Sequence, residues 1–178
     1  LITRLGQLMT DQFRQTFELL EGAFGRRFHQ LFGGGEAVLS LTDPGDLSAT
    51  GVEITARPPG KKKQPLAMLS GGERTLTAVA LLMAILEVRP VPFCVLDEVD
   101  AALDEANIGR FGSALRSLAK EIQFVVITHN RGTIEVADAL YGVTVGDDAV
   151  SRVISLKLAD LPEDDPRLLG TPKATAKA

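Results

Sequence analysis

Two short polar segments follow apolar runs in this chain, and both carry side chains suited to phosphate chemistry. Asp97 and Glu98 come directly after the apolar residues 93–96, and His129 closely follows the apolar residues 122–127. Asp97 could hold Mg²⁺, which prefers oxygen ligands, and Glu98 could orient or deprotonate an attacking water. His129 could hydrogen-bond a phosphate. Two solvated acids and a structural histidine are the simpler explanation of the same residues.

A third polar segment, Ser-Gly-Gly-Glu at residues 70–73, precedes a long apolar stretch. Ser70 and Glu73 have the spacing of a capping box, which satisfies the free N–H groups at the start of a helix. Gly71 and Gly72 leave the main chain open to close approach, and the first N–H groups of a helix attract anions. A helix cap and a phosphate contact therefore both remain open.

The loop that usually surrounds nucleotide phosphates, Gly-x-x-x-x-Gly-Lys-Ser/Thr, is missing from the sequence. The nearest candidate begins at Gly60 and has Lys62 where Ser or Thr is required. The lysines at residues 61–63 could contact nucleic-acid phosphates, but a solvated loop is the simpler explanation. Asp104 precedes a predicted helix, so it could be no more than an N-cap. The polar segments make up only part of a nucleotide site.

The spacing of apolar residues predicts the elements that position these segments. A helix is expected over residues 1–32, then a β-hairpin or meander from residues 37–42 and 51–57. After these, we expect helices at residues 75–88, 104–120 and 132–139, and strands at residues 93–96, 122–127, 140–145 and 150–158. Alternating strands and helices predict an α/β fold with a mostly parallel sheet. The continuous apolar runs favour strands buried on both faces.

Composition limits the classes of protein to consider. The 178 residues, 45% of them hydrophobic, suffice for one globular domain. A net charge of −4 gives no global case for nucleic-acid binding, and the single Cys94 excludes an internal disulfide framework. The longest apolar run, residues 78–86, is nine residues long, against the roughly 20 of a membrane span. A start at Leu1 suggests that the chain was cut from something longer.

In this order the segments resemble the motifs of ABC-type ATPases. Residues 69–73 are similar to the signature motif, residues 93–98 to Walker B with its glutamate, residues 102–104 to the D-loop, and His129 to the switch histidine. The residues that flank these motifs narrow the resemblance to the C-terminal head lobe of SMC proteins, the chromosome condensation ATPases. The resemblance covers about residues 24–158 and favours the bacterial-type single SMC, because the lobe has no large insertion.

The resemblance implies a domain organisation. Residues 1–32 would be the end of a coiled coil, although an ordinary amphipathic core helix fits the same pattern. Residues 33–158 would form the C-terminal lobe of the head, and residues 159–178 a disordered tail. In this family the phosphate loop lies on an N-terminal lobe, at the other end of a long coiled coil. Its absence here is therefore expected.

The resemblance also implies a role for each polar residue toward ATP and Mg²⁺. Asp97 would bind the metal, and Glu98 and His129 would serve hydrolysis. The residues that would contact the ATP of a second head are Ser70, Gly71, Gly72, Glu73 and Asp104. The implied partners are the N-terminal lobe of the same protein, a second head, a kleisin subunit through its winged-helix end, and DNA, with no membrane. We expect a cytoplasmic, nucleoid-associated protein whose isolated lobe is inactive.

Two alternatives remain at this stage. The lobe could serve chiefly as a docking platform for the kleisin, with the surface near residues 143–158 as the candidate contact. It could also belong to an SMC-like ATPase of DNA double-strand-break repair, which shares the Ser-Gly-Gly and Asp-Glu pairs. The run Val-Asp-Ala-Ala-Leu-Asp at residues 99–104 fits SMC better.

Overall fold

A computed structural model describes residues 2–47, 49–147 and 149–157 of the chain. It divides the chain into two compact units, Leu1–Val136 and Ala137–Ala178. The elements are α1 (Ile2–Phe32), β1 (Glu36–Leu41), β2 (Val52–Arg57), β3 (Gln64–Pro65), a 3₁₀ turn (Leu66–Met68), α2 (Gly71–Val88), β4 (Phe93–Asp97), α3 (Glu105–Leu118), β5 (Gln123–Ile127), α4 (Arg131–Ile134), β6 (Ala139–Val145) and β7 (Ser151–Lys157). The tail expected at residues 159–178 lies outside the described residues.

The long helix α1 changes character along its length. Near its C-terminal end, Phe24, Phe28 and Leu31 are fully buried in the core of the first unit. Near its N-terminal end, Leu8 and Met9 are exposed. The C-terminal part is thus a core helix, and a coiled coil at the other end stays a prediction.

The glycines after α1 allow a tight connection into a small antiparallel sheet of β1, β2 and β3. Gly35 has a φ of +74°, and a Cβ at this position would lie 2.3 Å from the carbonyl oxygen of Arg57. Only glycine fits this close approach. The predicted hairpin is confirmed, whereas β3 and the 3₁₀ turn had no signal in the sequence.

The α/β class is confirmed, and β4 and β5 form a parallel pair joined through α3. The expectation of a mostly parallel sheet is too broad, because every other described strand pair is antiparallel. Chain length explains the difference for β6 and β7. Only five residues separate these two strands, and a parallel crossover needs about a dozen or more.

One face of the β4–β5 pair is open to solvent. On β4, Phe93 and Val95 are 60% and 54% exposed, and Val125 and Ile127 on β5 are about half exposed. Leu96 points to the other face and is buried in the core. The prediction of strands buried on both faces is therefore wrong, because the described residues cover only one.

The helices also bear on the membrane question. Within the described residues, no helix is both long enough and apolar enough to cross a bilayer.

The predicted third helix is shorter than expected, since α4 ends at Ile134. Gly132 and the β-branched Thr133 and Ile134 are weak helix formers, which is consistent with the early end.

Candidate functional site

The N-terminus of α2 is closed by the predicted capping box. Ser70 is the N-cap, and its backbone N–H and hydroxyl donate to Oε2 of Glu73 at 3.0 and 2.8 Å. In return the backbone N–H of Glu73 donates to the Ser70 hydroxyl. A Cβ added to Gly71 would meet nothing within 4 Å. The helix end is thus locally stabilised while its first turn remains open to an approaching anion.

Lys61 contacts this same helix end, which the sequence did not indicate. Its Nζ lies 2.9 Å from Oε1 of Glu73. The hydrogen bond from Lys61 holds the pKa of Glu73 below its usual value, and the bonds from Ser70 add to this effect against a smaller opposing one from burial. Glu73 therefore stays ionised and balances a lysine next to the candidate phosphate contact.

Asp97, Glu98 and His129 lie together at the carboxyl edge of the β4–β5 pair, because each follows the apolar part of one of these two parallel strands. Asp97 ends β4, and the backbone N–H of Glu98 donates to the carbonyl of Ile127 at 2.9 Å. Nδ1 of His129 lies 3.8 Å from Oε1 of Glu98. These two side chains are 74% and 62% exposed respectively. A carboxylate and an imidazole therefore face solvent side by side, where they could act on one water molecule.

Glu98 has an unusual backbone conformation, with a φ of +49°. This left-handed region is costly for residues with a Cβ, and such outliers cluster at functional sites. The turn that contains it is closed by a hydrogen bond from the N–H of Ala101 to the Glu98 carbonyl. The turn therefore fixes the direction in which the Glu98 side chain leaves the sheet edge.

The acidic residues near this edge do not form a metal cage by themselves. Among the described residues, no group of three or more His, Cys, Asp or Glu side chains could hold a metal ion. The exposed Asp97 fits a single ligand to Mg²⁺, since this ion takes few protein carboxylates and relies on water and substrate phosphates.

Asp104 and the capping box line a different feature, a cleft of about 400 Å³. Its lining includes Ser70, Gly72, Glu73, Asp104 and Arg110. Asp97, Glu98 and His129 do not line it. The predicted site residues thus form two groups. The sheet-edge group is Asp97, Glu98 and His129, and the cleft group is residues 70–73 together with Asp104.

Two contacts define the geometry of the cleft. Asp104 is the N-cap of α3, and its side chain accepts hydrogen bonds from both nitrogens of Asn107. The cap that the sequence predicted is present, and it does not exclude a second role. A Cβ on Gly72 would lie 3.2 Å from the carbonyl oxygen of Ala102. The first turn of α2 therefore packs closely against the segment that precedes α3.

Sequence reasoning missed the role of Asp100, which entered it only as part of the run at residues 99–104. Asp100 is 1% exposed. Its Oδ2 accepts hydrogen bonds from the hydroxyls of Thr128, at 2.7 Å, and Thr133. The one local signal was an acid flanked by Val99 and Ala101, an apolar setting that is unusual for a solvated aspartate.

Comparisons with known proteins identify the family of this chain. Residues 6–152 match the family model described as "RecF/RecN/SMC N terminal domain". The chromosome partition protein Smc of Bacillus subtilis (strain 168) is 57% identical over 162 residues, which is 91% of this chain and 14% of that protein. The chain therefore spans about a seventh of the length of this relative.

Solved structures give the same result. The Smc head domain with an extended coiled coil from Pyrococcus furiosus, bound to the C-terminal domain of ScpA, has a TM-score of 0.83 at 39% identity, over 89% of this chain and 39% of that one. A chain from work on ATP-driven dimerisation and DNA-stimulated activation of SMC ATPases has a TM-score of 0.77 at 39% identity, over 84% of this chain and 91% of that one. The chain belongs to the RecF/RecN/SMC family and is an SMC protein.

Proposed function

We propose that this chain is the C-terminal lobe of an SMC ATPase head, which hydrolyses ATP only together with an N-terminal lobe. The observation that carries the proposal is the separation of the sheet-edge group from the cleft group, combined with the missing phosphate loop. Although the matching family model is named for an N-terminal domain, a lobe without a phosphate loop fits the other half of the site. A solved SMC chain of nearly the same extent supports a lobe of this size.

The open face of the β4–β5 pair supports a covering N-terminal lobe. Its exposed side chains include Phe93, Val95 and Val125. Burying a side chain of this kind contributes roughly 1.5 to 3 kcal/mol. Contiguous apolar surface of this type marks a protein contact, and it adjoins the Asp97 edge where ATP would bind.

The sheet-edge group fits the ATP that this lobe completes. Bound Mg²⁺ would neutralise phosphate charge and polarise the bond that breaks. In this arrangement Asp97 would be a metal ligand, Glu98 would orient a water and accept its proton, and His129 would donate a hydrogen bond to the terminal phosphate. The exposed, adjacent positions of Glu98 and His129 leave room for these roles.

The cleft group fits the ATP of a second head. The first turn of α2, which is open at Gly71, offers backbone N–H groups to a phosphate, and the Ser70 hydroxyl could turn from Glu73 toward it. Glu73 would keep the helix end capped, and Asp104 would hold the neighbouring segment. ATP would then favour paired heads, since ADP lacks the contacting phosphate. Solved SMC work on ATP-driven dimerisation supports this reading for a relative.

The test is reconstitution with the matching N-terminal lobe. The chain alone is expected to show negligible ATP turnover, and mixing the two lobes should restore it. Glu98→Gln removes the proton acceptor and should lower turnover at least about 100-fold while ATP-bound heads still pair. Glu105→Gln, at the first position of α3, is the matched control. Appreciable turnover by the isolated chain would contradict the proposal.

A docking platform for the kleisin is the second candidate function. A related head is bound to the C-terminal domain of ScpA, and the β6–β7 hairpin exposes Tyr141, Val143 and Val153. Capture of a kleisin C-terminal domain by this chain, without ATP or the other lobe, would support it. Val143→Asp should then abolish capture without changing turnover.

DNA contact, cellular location and the repair alternative remain proposals as well. Lys62 and Lys63 are exposed and could contact DNA phosphates. Their replacement by Ala should reduce binding most at low salt. We propose a cytoplasmic, nucleoid-associated protein of chromosome segregation. A repair ATPase is less favoured, because several similar relatives are chromosome partition proteins.

A further inference from the structure

Asp100 is an expensive residue to bury. Within the described part of the chain it is the one acid or base that falls in the buried class. Removing a carboxylate from water costs several kcal/mol unless hydrogen bonds replace its hydration. Here both replacing donors are hydroxyls, from Thr128 and Thr133, and both reach the same oxygen, Oδ2. An apolar side chain would fill the same space without needing hydrogen-bond donors. The presence of a carboxylate therefore calls for a functional explanation.

The two hydroxyl donors lie on either side of His129. The Thr128 hydroxyl also accepts a hydrogen bond from the backbone N–H of Asn130 at 2.9 Å. Asn130 caps α4, and its side chain accepts from the N–H of Gly132 at 3.1 Å. The backbone immediately before and after His129 is therefore tied, through Thr128, to one buried carboxylate.

Asp100 is also linked to Glu98, the other candidate for the hydrolysis step. It lies two residues after Glu98, in the turn closed by the bond from the Ala101 N–H to the Glu98 carbonyl. Its own carbonyl accepts from the N–H of Leu103. Asp100 thus joins the loop that carries Glu98 to the loop that carries His129.

We propose that Asp100 is a positioning residue for ATP hydrolysis, which holds His129 beside Glu98 by fixing the Thr128–Thr133 segment, the loop after β5 and the start of α4. This inference rests on the proposed ATPase function. Because Asp100 is 1% exposed, it acts through the loop and does not touch the nucleotide. The His129 side chain is 74% exposed, so its placement depends on its backbone. A shift of about 1 Å in a reacting group can cost about 100-fold in rate.

The first test measures kcat and KM for ATP in the complete protein. Asp100→Asn keeps the shape of the side chain but weakens both hydrogen bonds. We expect kcat to fall about tenfold and KM to stay within about twofold. Thr128→Val should act like Asp100→Asn, and Thr128→Ser, which keeps the hydroxyl, should restore most of the rate. Thr77→Val makes the same change at a buried threonine outside this network and should leave kcat unchanged.

A double-mutant cycle separates positioning from general stability. In a His129→Ala background, Asp100→Asn should change kcat less than about twofold, because its effect passes through His129. Equal losses with and without His129 would overturn the inference. An unchanged kcat in Asp100→Asn would also overturn it. If Glu98→Gln retained full turnover, the proposed function would fail instead.

A second readout does not depend on turnover. The chain has two histidines, His29 and His129, so its imidazole NMR signals can be assigned with His129→Ala. Asp100→Asn should shift or broaden the His129 signal and leave that of His29 unchanged. Identical His129 signals in the wild type and in Asp100→Asn would refute positioning even if the protein is an ATPase.

Discussion

The two groups of candidate residues in the first unit are assembled in opposite ways. At the cleft, Ser70 and Glu73 are three residues apart and satisfy each other's hydrogen bonds. At the sheet edge, the key contact joins Asp100 to Thr128, which are 28 residues apart. The capping box therefore needs little more than the start of α2, whereas the sheet-edge group needs the whole β4–α3–β5 unit. Removing one side chain of the capping box should therefore mainly lower stability, whereas removing one side chain at the sheet edge should mainly lower turnover.

The largest contrast is expected from His129→Ala. Turnover of the complete protein should fall about 100-fold, since a positioned proton donor is lost. Stability should change by less than about 0.5 kcal/mol, because the side chain is mostly exposed. His29→Ala is the matched control: its Nδ1 lies 3.1 Å from the carbonyl of Gly35, away from both groups. Equal loss of turnover in the His129→Ala and His29→Ala variants would show that the loss is not specific to the sheet-edge group.

A smaller effect, on folding this time, is expected from Ser70→Ala. The variant loses the N-cap of α2 and should be destabilised by about 1 kcal/mol. Urea unfolding should show a lower midpoint with an unchanged m-value. Ser113→Ala removes an exposed hydroxyl that donates to the Gly109 carbonyl within α3 and should be nearly neutral. If both alanine variants unfolded at the same midpoint, the cap would not stabilise the helix end.

The smallest effect concerns Lys61→Met and depends on pH. The Lys61 contact lowers the pKa of Glu73 in the folded state, so its stabilisation is present above the ordinary carboxyl pKa and is lost as the pH falls through the lowered one. We expect a cost of about 0.5 kcal/mol near neutral pH, because Lys61 is half exposed. The cost should vanish in acid. Lys62→Met is the control, and a cost that persists in acid would exclude the ion pair as its cause.

The same contrast explains how far the sequence could predict the site. The capping box, the N-cap Asp104 and the acids after β4 follow from spacings of a few residues, and each was predicted. The bonds from Thr128 and Thr133 to Asp100 link distant segments, and nothing in the local sequence specifies them. The contact of Lys61 with Glu73 was missed for the same reason, since it spans two elements.

The exposed face of β4 and β5 was missed for another reason. The apolar run at Phe93 to Leu96 was taken to mean that the strand is buried on both faces. Burial on both faces depends on everything that packs against the strand, and not on the strand alone. The described residues cover only one face of the pair, so Phe93 and Val95 face solvent. The proposed N-terminal lobe would cover the other face, and the apolar pattern would then reflect a contact that the described residues do not supply.

The positive φ of Glu98 has a consequence for the trade-off between stability and activity. A left-handed conformation costs a residue with a Cβ roughly 1 to 2 kcal/mol, and glycine would adopt it without that penalty. Glycine would thus be the more stable residue at this position, while the proposed role in hydrolysis requires the carboxylate. The lobe carries a small permanent instability at the residue on which its proposed chemistry depends. Stabilising substitutions there should therefore reduce activity.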